Sequence, residues 1–374
     1  MAVYKIFPTK DATLYSIYPT MNTGLDAILE SSNILAENGY PGVSRYLIEY
    51  DTAEIQDIIN NKISSSAYNI YFKNYISTAQ GINTDVKLEV FATAQSWNNG
   101  TGYYLDDPKT TDGASWDNRN SSGSGVWNIN GSINGYGYTG SFNSTYTTQG
   151  GGSWFTSSGV IPTITESFGL RSEKDLELGV KDLVKLWYSS SIPNYGFLVK
   201  LSGSAEFNND INYQPILKYY SVDTNTIYPP QLEFRWRDYS LYSAATSSIV
   251  TTKQIKLSLD DNPGEFQPSS INRFYVNISP LYPTRTYQTS SLFTNTNYLP
   301  TSSYYAIKDL ATNEFVINFD TQYTQISSDV RGNYFDVYMS GLEPERYYKI
   351  LIKTEINGST LILDDDYYFK VING

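Results

Sequence analysis

Apolar and polar residues alternate in short runs along most of this chain, and turn-forming residues end each run within a few positions. Val86, Leu88 and Val90 bracket Lys87 and Glu89, and Tyr68, Ile70, Phe72 and Ile76 mark the run Tyr68–Ile76 before them. A period of two belongs to a strand with one face buried and one wet, the pattern of antiparallel sheets. Further N-terminal strands are predicted over Val3–Phe7, Ala12–Tyr15, Ala27–Ser31 and Ser44–Tyr50, separated by Pro8, Pro19, Asn22-Thr23-Gly24 and Pro41-Gly42. Only two stretches carry a helical signature. Asp51 stands three residues before Glu54, ahead of Ile55, Ile58 and Ile59, a capping-box-like start for a short helix over 52–60. Val180, Leu183, Val184 and Trp187 recur at helical spacing and predict a second, amphipathic helix with Trp187 as its core anchor.

Strands over Asp175–Val180, Phe197–Leu201, Pro215–Tyr220 and Gln231–Trp236 lead to a Ser/Thr/Ala/Tyr-rich stretch at Asp238–Ser248, where a domain boundary is expected. A second strand set follows at Gln254–Leu259, Arg273–Ser279, Glu314–Phe319, Tyr334–Ser340, Tyr347–Glu355 and Leu361–Val371. Residues 280–312 read as an inserted loop or extra hairpin, and Asn357-Gly358 as a two-residue hairpin turn between the last two strands. Gly341-Leu342-Glu343-Pro344, then Tyr347-Tyr348, resembles the corner of immunoglobulin-like and fibronectin type III domains, where a tyrosine hydroxyl ties back to nearby backbone. The expected fold is all-β. A jelly-roll-like sandwich with short helices occupies residues 1–238, carrying a long insertion at 97–160, and an immunoglobulin-like β-sandwich occupies 239–374.

The composition narrows the chemistry. With 374 residues, 40% of them apolar, the chain can build more than one core. It has no Cys and no His, which removes thiol nucleophiles, disulfides, imidazole relays and the usual zinc and copper sites. Net charge is −12 with no basic run, so nucleic acid is not an expected partner. Residues 1–20 show no leader pattern and no apolar stretch reaches membrane-span length, so synthesis in the cytoplasm and no membrane partner are expected.

The 97–160 stretch is rich in Gly, Ser, Asn, Thr, Trp and Tyr, including Gly135-Tyr136-Gly137-Tyr138 and Gly150-Gly151-Gly152. Loops this long are functional or flexible as a rule, and its tryptophans argue against plain disorder. Their rings either anchor the loop on its own domain or face a partner chain or glycan. The candidate binding residues are therefore Trp97, Trp116, Trp127, Tyr136, Tyr138 and Trp154. Acidic residues are the only general acid–base groups left, in Asp106-Asp107, Asp260-Asp261 and Asp364-Asp365-Asp366. A glycosidase needs two carboxylates held across a cleft, and adjacent acids in turns read instead as solvated loops, or as a weak cation site. Arg45 reads as a structural ion-pair or hydrogen-bond donor. No catalytic residue, cofactor or metal ligand is assigned.

Asp11-Ala12, Asn22-Thr23-Gly24 and Ser44-Arg45 through Tyr50-Asp51, then Ser96-Trp97, follow one another in an order that resembles the DNRLRE-type sandwich domain, a relative of carbohydrate-binding modules. Val180, Val184, Trp187 and Asn194-Tyr195-Gly196-Phe197 fit that family's later helix and glycine-led strand. The resemblance covers about the first three-fifths of the chain, and the 97–160 insertion departs from it. Tyr18-Pro19 through Gly24-Leu25-Asp26, and Asp223-Thr224-Asn225-Thr226-Ile227-Tyr228-Pro229-Pro230-Gln231-Leu232-Glu233, also resemble virion structural proteins of tailed bacteriophages. That likeness implies a non-enzymatic building block of the particle, in neck, collar, tail or capsid decoration. It implies virion localisation, other virion proteins as partners, and a homo-oligomeric arrangement. A carbohydrate-binding module for host surface glycans is the alternative.

Overall fold

The computed structural model describes residues 2–35, 41–82, 85–121, 123, 125–128, 133–134, 150–155, 161–208, 210–242, 249–282 and 296–373. The chain is all-β, its strands arranged in mainly antiparallel sheets. It divides into two compact units, one made of Ile6–Asn60 and Ile70–Glu233, the other of Met1–Lys5, Asn61–Asn69 and Phe234–Gly374. No helix among the described residues is long and apolar enough to cross a membrane.

In the first unit an eight-stranded sheet runs in the order Ile164–Phe168, Val86–Ala92, Phe197–Leu201, Pro41–Glu49, Ile28–Leu35, Ile216–Tyr220 and Ile76–Gln80, with Lys10–Tyr15 also on Pro41–Glu49. Register places Phe197 opposite Ile48 and Ala92, so these side chains share one face of the sheet. Tyr50 lies on that face too, with its ring centroid 6.2 Å from that of Phe197. Phe72, opposite Leu178 in a second sheet, meets Phe197 at 4.8 Å. Trp187 of the helix Lys181–Tyr188 packs on Phe197 at 4.7 Å and is buried with Leu183 and Val184, as its spacing predicts. Asp51 caps the helix Thr52–Asp57 by accepting the Ala53 N–H at 2.9 Å, and a π-helical turn, Ile58–Lys62, follows.

Three expectations change in this unit. The run Tyr68–Ile76 is two strands, because the chain changes sheet at Tyr75. Residues 71–74 pair with Leu176–Gly179, while Ile76–Gln80 pairs with Ile216–Tyr220. Ile164–Phe168 is a further strand on Val86–Ala92 that the weak alternation of its sequence did not mark. The second face of the large sheet is not uniformly wet. Ala12, Leu14, Val43, Leu47, Phe91 and Leu198 lie there in an apolar cluster closed by Trp97, Ala114, Trp116, Trp127 and Trp154.

The second unit is an immunoglobulin-like sandwich. One sheet has the order Ile255–Asp260, Ile271–Pro280, Asn333–Tyr338, Ser327–Ser328. The other has the order Glu265–Phe266, Tyr368–Val371, Arg346–Ile356, Ser303–Asp309, Phe315–Ile317, with Ser359–Leu363 also on Arg346–Ile356. Tyr305 stacks on Phe335 at 4.3 Å and Phe335 on Phe274 at 5.4 Å within the core, which Val3 joins. The Tyr348 hydroxyl donates to the Glu343 carbonyl at 2.9 Å, so Tyr348 is the residue that ties the expected corner. Asn357 and Gly358 take φ of 50° and 69°, the left-handed pair of a two-residue hairpin turn, and Ile356 pairs with Ser359 across it.

The segment read as an inserted loop or extra hairpin at 280–312 contains instead a central strand of the sandwich, Ser303–Asp309. Its inward positions include Ser303, whose hydroxyl meets that of Thr354 at 2.7 Å, and Asp309, which pairs with Arg346. Polar groups satisfied across strands erase the apolar alternation that would have marked it. Leu361–Val371 is likewise two strands, Ser359–Leu363 and Tyr368–Val371, separated by the acidic turn.

Candidate binding surface

Trp97, Trp116, Trp127 and Trp154 are 2%, 6%, 1% and 3% exposed. The Trp97 indole N–H donates to the Tyr195 carbonyl at 3.0 Å, and that of Trp127 to the Ser115 carbonyl at 3.0 Å. Trp154 lies 5.3 Å from Phe91 of the sheet. These four rings are therefore not a surface offered to a partner, which corrects the expectation from composition. Leu14, Val43, Leu47, Phe91 and Leu198 leave the sheet's second face apolar, and the insertion covers it with its largest rings. Tyr136 and Tyr138 lie outside the described residues.

Beneath this cover is a buried ionic group. Arg45 and Glu206, both with fully buried side chains, are joined by Nε–Oε1 at 2.6 Å and Nη2–Oε2 at 3.0 Å. Lys200 reaches Glu206 at 3.2 Å and Glu89 at 3.3 Å, which balances two cations against two carboxylates. The third Arg45 arm donates to the Gly151 carbonyl at 2.8 Å, and the guanidinium lies 5.0 Å from the Trp116 ring and 5.2 Å from that of Trp154. Gly151 has φ of 71°, and a Cβ there would meet Arg45 Nη1 and the Trp116 ring at 2.8 Å. Arg45 is thus the structural donor its position suggested, and the glycine run lets backbone close over it. Arg45 and Glu206 are closed off from solvent and Lys200 nearly so, while Glu89 lies at the edge of the group.

The acidic runs build turns. The Asp106 carboxylate accepts the Tyr103 N–H at 2.8 Å and the Thr110 hydroxyl at 3.1 Å. Arg331 pairs with Asp261 at 2.8 Å and reaches Asp260 at 3.9 Å, and Lys349 pairs with Asp364 at 2.7 Å and Asp366 at 2.8 Å. Among the described residues no group of three or more acidic side chains is placed to hold a metal ion.

One aromatic group does face outward, and two loops hold it. Asn22 Nδ2 donates to the carbonyls of Asn99 at 2.7 Å and Ala114 at 2.8 Å, while its Oδ1 accepts the Gly102 N–H at 2.9 Å. Asn99 returns a bond to the Gly24 carbonyl at 2.6 Å, and the Leu25 N–H reaches the Gly102 carbonyl at 3.0 Å. At the tip of this zipped pair, Tyr103, Tyr104 and Leu105 are 50%, 40% and 51% exposed. The Tyr104 ring rests 4.8 Å from Tyr15 and 6.1 Å from Tyr18, and Lys109 lies 4.6 Å over the Tyr18 ring. Burial, then the neighbouring Tyr18, Glu30 and Asp26, push the Tyr104 hydroxyl above its ordinary pKa. The overlooked signal is an apolar triplet, Tyr103-Tyr104-Leu105, set between Gly102 and Asp106-Asp107-Pro108, where a turn has no core to fill.

No protein-family model and no curated protein matches the sequence. Among solved structures the chain is similar to a DUF4785 family protein from Legionella pneumophila, at 8% identity and a TM-score of 0.20. The match takes in 99% of this chain and 65% of that one, so this chain spans less than two thirds of that protein's length.

Proposed function

We propose that this chain is a non-enzymatic structural component of a tailed-bacteriophage virion, in the neck, collar, tail or capsid decoration, acting through protein–protein contacts between many copies. The observation that carries the reading is a sheet edge. Ile76–Gln80 is the last strand in the order of the eight-stranded sheet. It borders a groove of about 460 Å³ lined by Ile76–Ile82, Lys174 and Leu170, and Leu170 is 70% exposed. A terminal strand is a template for a strand of another chain, and proteins that do not use such edges blunt them. The engagement of the acidic runs in turns and of the tryptophans in a core also favours a scaffold over a catalyst. A net charge of −12 keeps copies soluble before assembly and repels nucleic acid.

The test is immunogold labelling of intact purified particles, with mass spectrometry of the same particles after denaturation. Label confined to the neck or tail, or scattered over the capsid, supports the reading and gives the location. Absence of the protein from denatured particles overturns it.

A further inference from the structure

We propose that two copies of this chain meet through the outer face of the second unit's sheet that carries Arg346–Ile356, each presenting the same face to the other about a twofold axis. This rests on the reading that copies contact one another, and it adds a second contact to the strand edge at Ile76–Gln80. A single self-paired contact stops at a dimer, whereas two different contacts per chain extend an assembly.

The first observation is what the alternation leaves outside. Tyr348, Ile350 and Ile352 point inward and fill the core. Outward positions on a sandwich strand are ordinarily polar, yet Tyr347 is one of them. Register carries the same face sideways. Tyr368 lies opposite Lys349, Ile362 opposite Lys353, and Phe315 opposite Lys308, which is itself opposite Lys349. Leu310 adjoins Tyr347, donating its N–H to the Tyr347 carbonyl at 2.9 Å. Leu310, Phe315, Tyr347, Ile362 and Tyr368 are each between 43% and 59% exposed. Between them, Ala306 and Leu351 face each other across the strands as an apolar floor.

The second is area. Large side chains span roughly 150–250 Å², so five at about half exposure offer on the order of 500 Å². That is toward the top of the ~300–600 Å² found for the largest apolar patch of a monomer. Lysine stems lie among the rings, Lys308 over Phe315 at 4.6 Å and Lys353 over Tyr304 at 5.3 Å. They extend the face toward the ~800 Å² that each partner gives a standard interface.

The third is charge. Lys349 pairs with Asp364 at 2.7 Å and Asp366 at 2.8 Å, and Lys370 pairs with Glu345. The acidic run therefore balances the lysines of this face, and a partner of one sign would leave the other sign opposed. A second copy matches both signs. The units also differ in charge. The first has 12 Lys and Arg against 23 Asp and Glu, a net −11, and the second has 14 against 15, a net −1. The nearly neutral unit is the one whose own copy can approach across a broad face without strong repulsion.

The chain has no cysteine, so a single cysteine variant carries a single thiol. The test treats full-length Tyr347→Cys and Ile362→Cys with a short bis-maleimide. Val330→Cys is the control, at a residue 73% exposed between Ser327–Ser328 and Asn333–Tyr338 of the opposite sheet. Covalent dimers are expected about tenfold faster from the two face positions than from the control. In parallel, Ile362→Glu and Tyr368→Glu are made in the Leu170→Glu background, which weakens the edge contact. Each is expected to weaken self-association about tenfold in sedimentation velocity, with circular dichroism unchanged. Cross-linking at the face no faster than at Val330, or self-association that both glutamate variants leave intact, overturns the proposal. Loss of particle incorporation in those variants without any face cross-link overturns it too, and makes the face a contact with a different protein. Face cross-linking by a chain absent from particles supports the twofold contact while removing the virion reading.

Discussion

Arg45 is a charge the fold has closed over completely, and its value lies in what its loss would strand. Truncating it would leave Glu206, with no side-chain exposure, facing Lys200 alone. Breaking a buried pair in this way costs about 3–5 kcal/mol, so Arg45→Ala should be strongly destabilised in urea denaturation. Arg45→Lys should not restore stability, because one ammonium cannot supply the paired bonds to Glu206 and the third to Gly151. Asp11 is the opposite case. It is buried opposite Ile48, with one oxygen accepting the Val222 N–H at 2.7 Å and the other without a hydrogen-bond partner. Burial pushes its pKa well above the ordinary value of 3.8; the Val222 bond opposes the shift, and the charges of Asp223 and Asp26 add to it. The native state therefore holds a proton that the unfolded chain releases. Its contribution to stability is complete at pH below the unfolded pKa and is lost as pH rises from there toward the native one. Asp11→Asn, which mimics the neutral acid, should melt above the parent at about pH 8, with the gap closing toward about pH 4. A variant that melts at or below the parent throughout would refute the assignment.

Among the elements, the described residues of the 97–160 insertion, Trp97, Ala114, Trp116, Trp127 and Trp154 among them, form a layer over the second face of the eight-stranded sheet. The insertion's rings bury apolar strand residues that would otherwise face water, and its Gly150–Gly152 run passes close over Arg45 and Trp116. Gly151→Ala would set a Cβ against both and hold a non-glycine residue at positive φ, a strain of at least ~1–2 kcal/mol. Limited proteolysis should then cut within 97–160 sooner than in the parent, while the hairpin turn at Asn357-Gly358 in the other unit stays protected. Equal cleavage rates would show that the insertion does not depend on this close approach. Much at this scale was legible in sequence. The helix Lys181–Tyr188 and the strands Val86–Ala92 and Phe197–Leu201 followed from local spacing, and the corner from its resemblance to immunoglobulin-like domains, though only the Tyr348 hydroxyl bond to the Glu343 carbonyl picks Tyr348 over Tyr347. Ser303–Asp309 was not, because its buried serine and aspartate are satisfied by Thr354 and Arg346, which lie far along the chain.

For the whole molecule, the terminal strand Ile76–Gln80 is where the proposed association should register. Leu170→Glu places a charge beside the groove at a residue already 70% exposed, so the fold should tolerate it. Light scattering of the purified chain should show fewer copies per assembly at equal concentration, and particles should incorporate less of it. An unchanged mass and normal incorporation would move the subunit contact to another surface.

The alternation of residues by itself determined that the chain is all-β, where most strands lie, and which side chains share a face. These are properties of neighbours one and two positions apart. The absence of Cys and His likewise removed whole classes of chemistry before any fold was considered. Only the tertiary structure decided what covers each face. Period two marks an apolar face but not the segment that buries it, so the tryptophans could be counted from sequence and not placed. Arg45 finds Glu206 across a separation of 161 residues, and the tyrosine tip exists because Asn22 joins a loop 80 residues away at Gly102. Such pairings arise from chain topology, and burial, which decides whether an aromatic ring is core or surface, is settled only when they close.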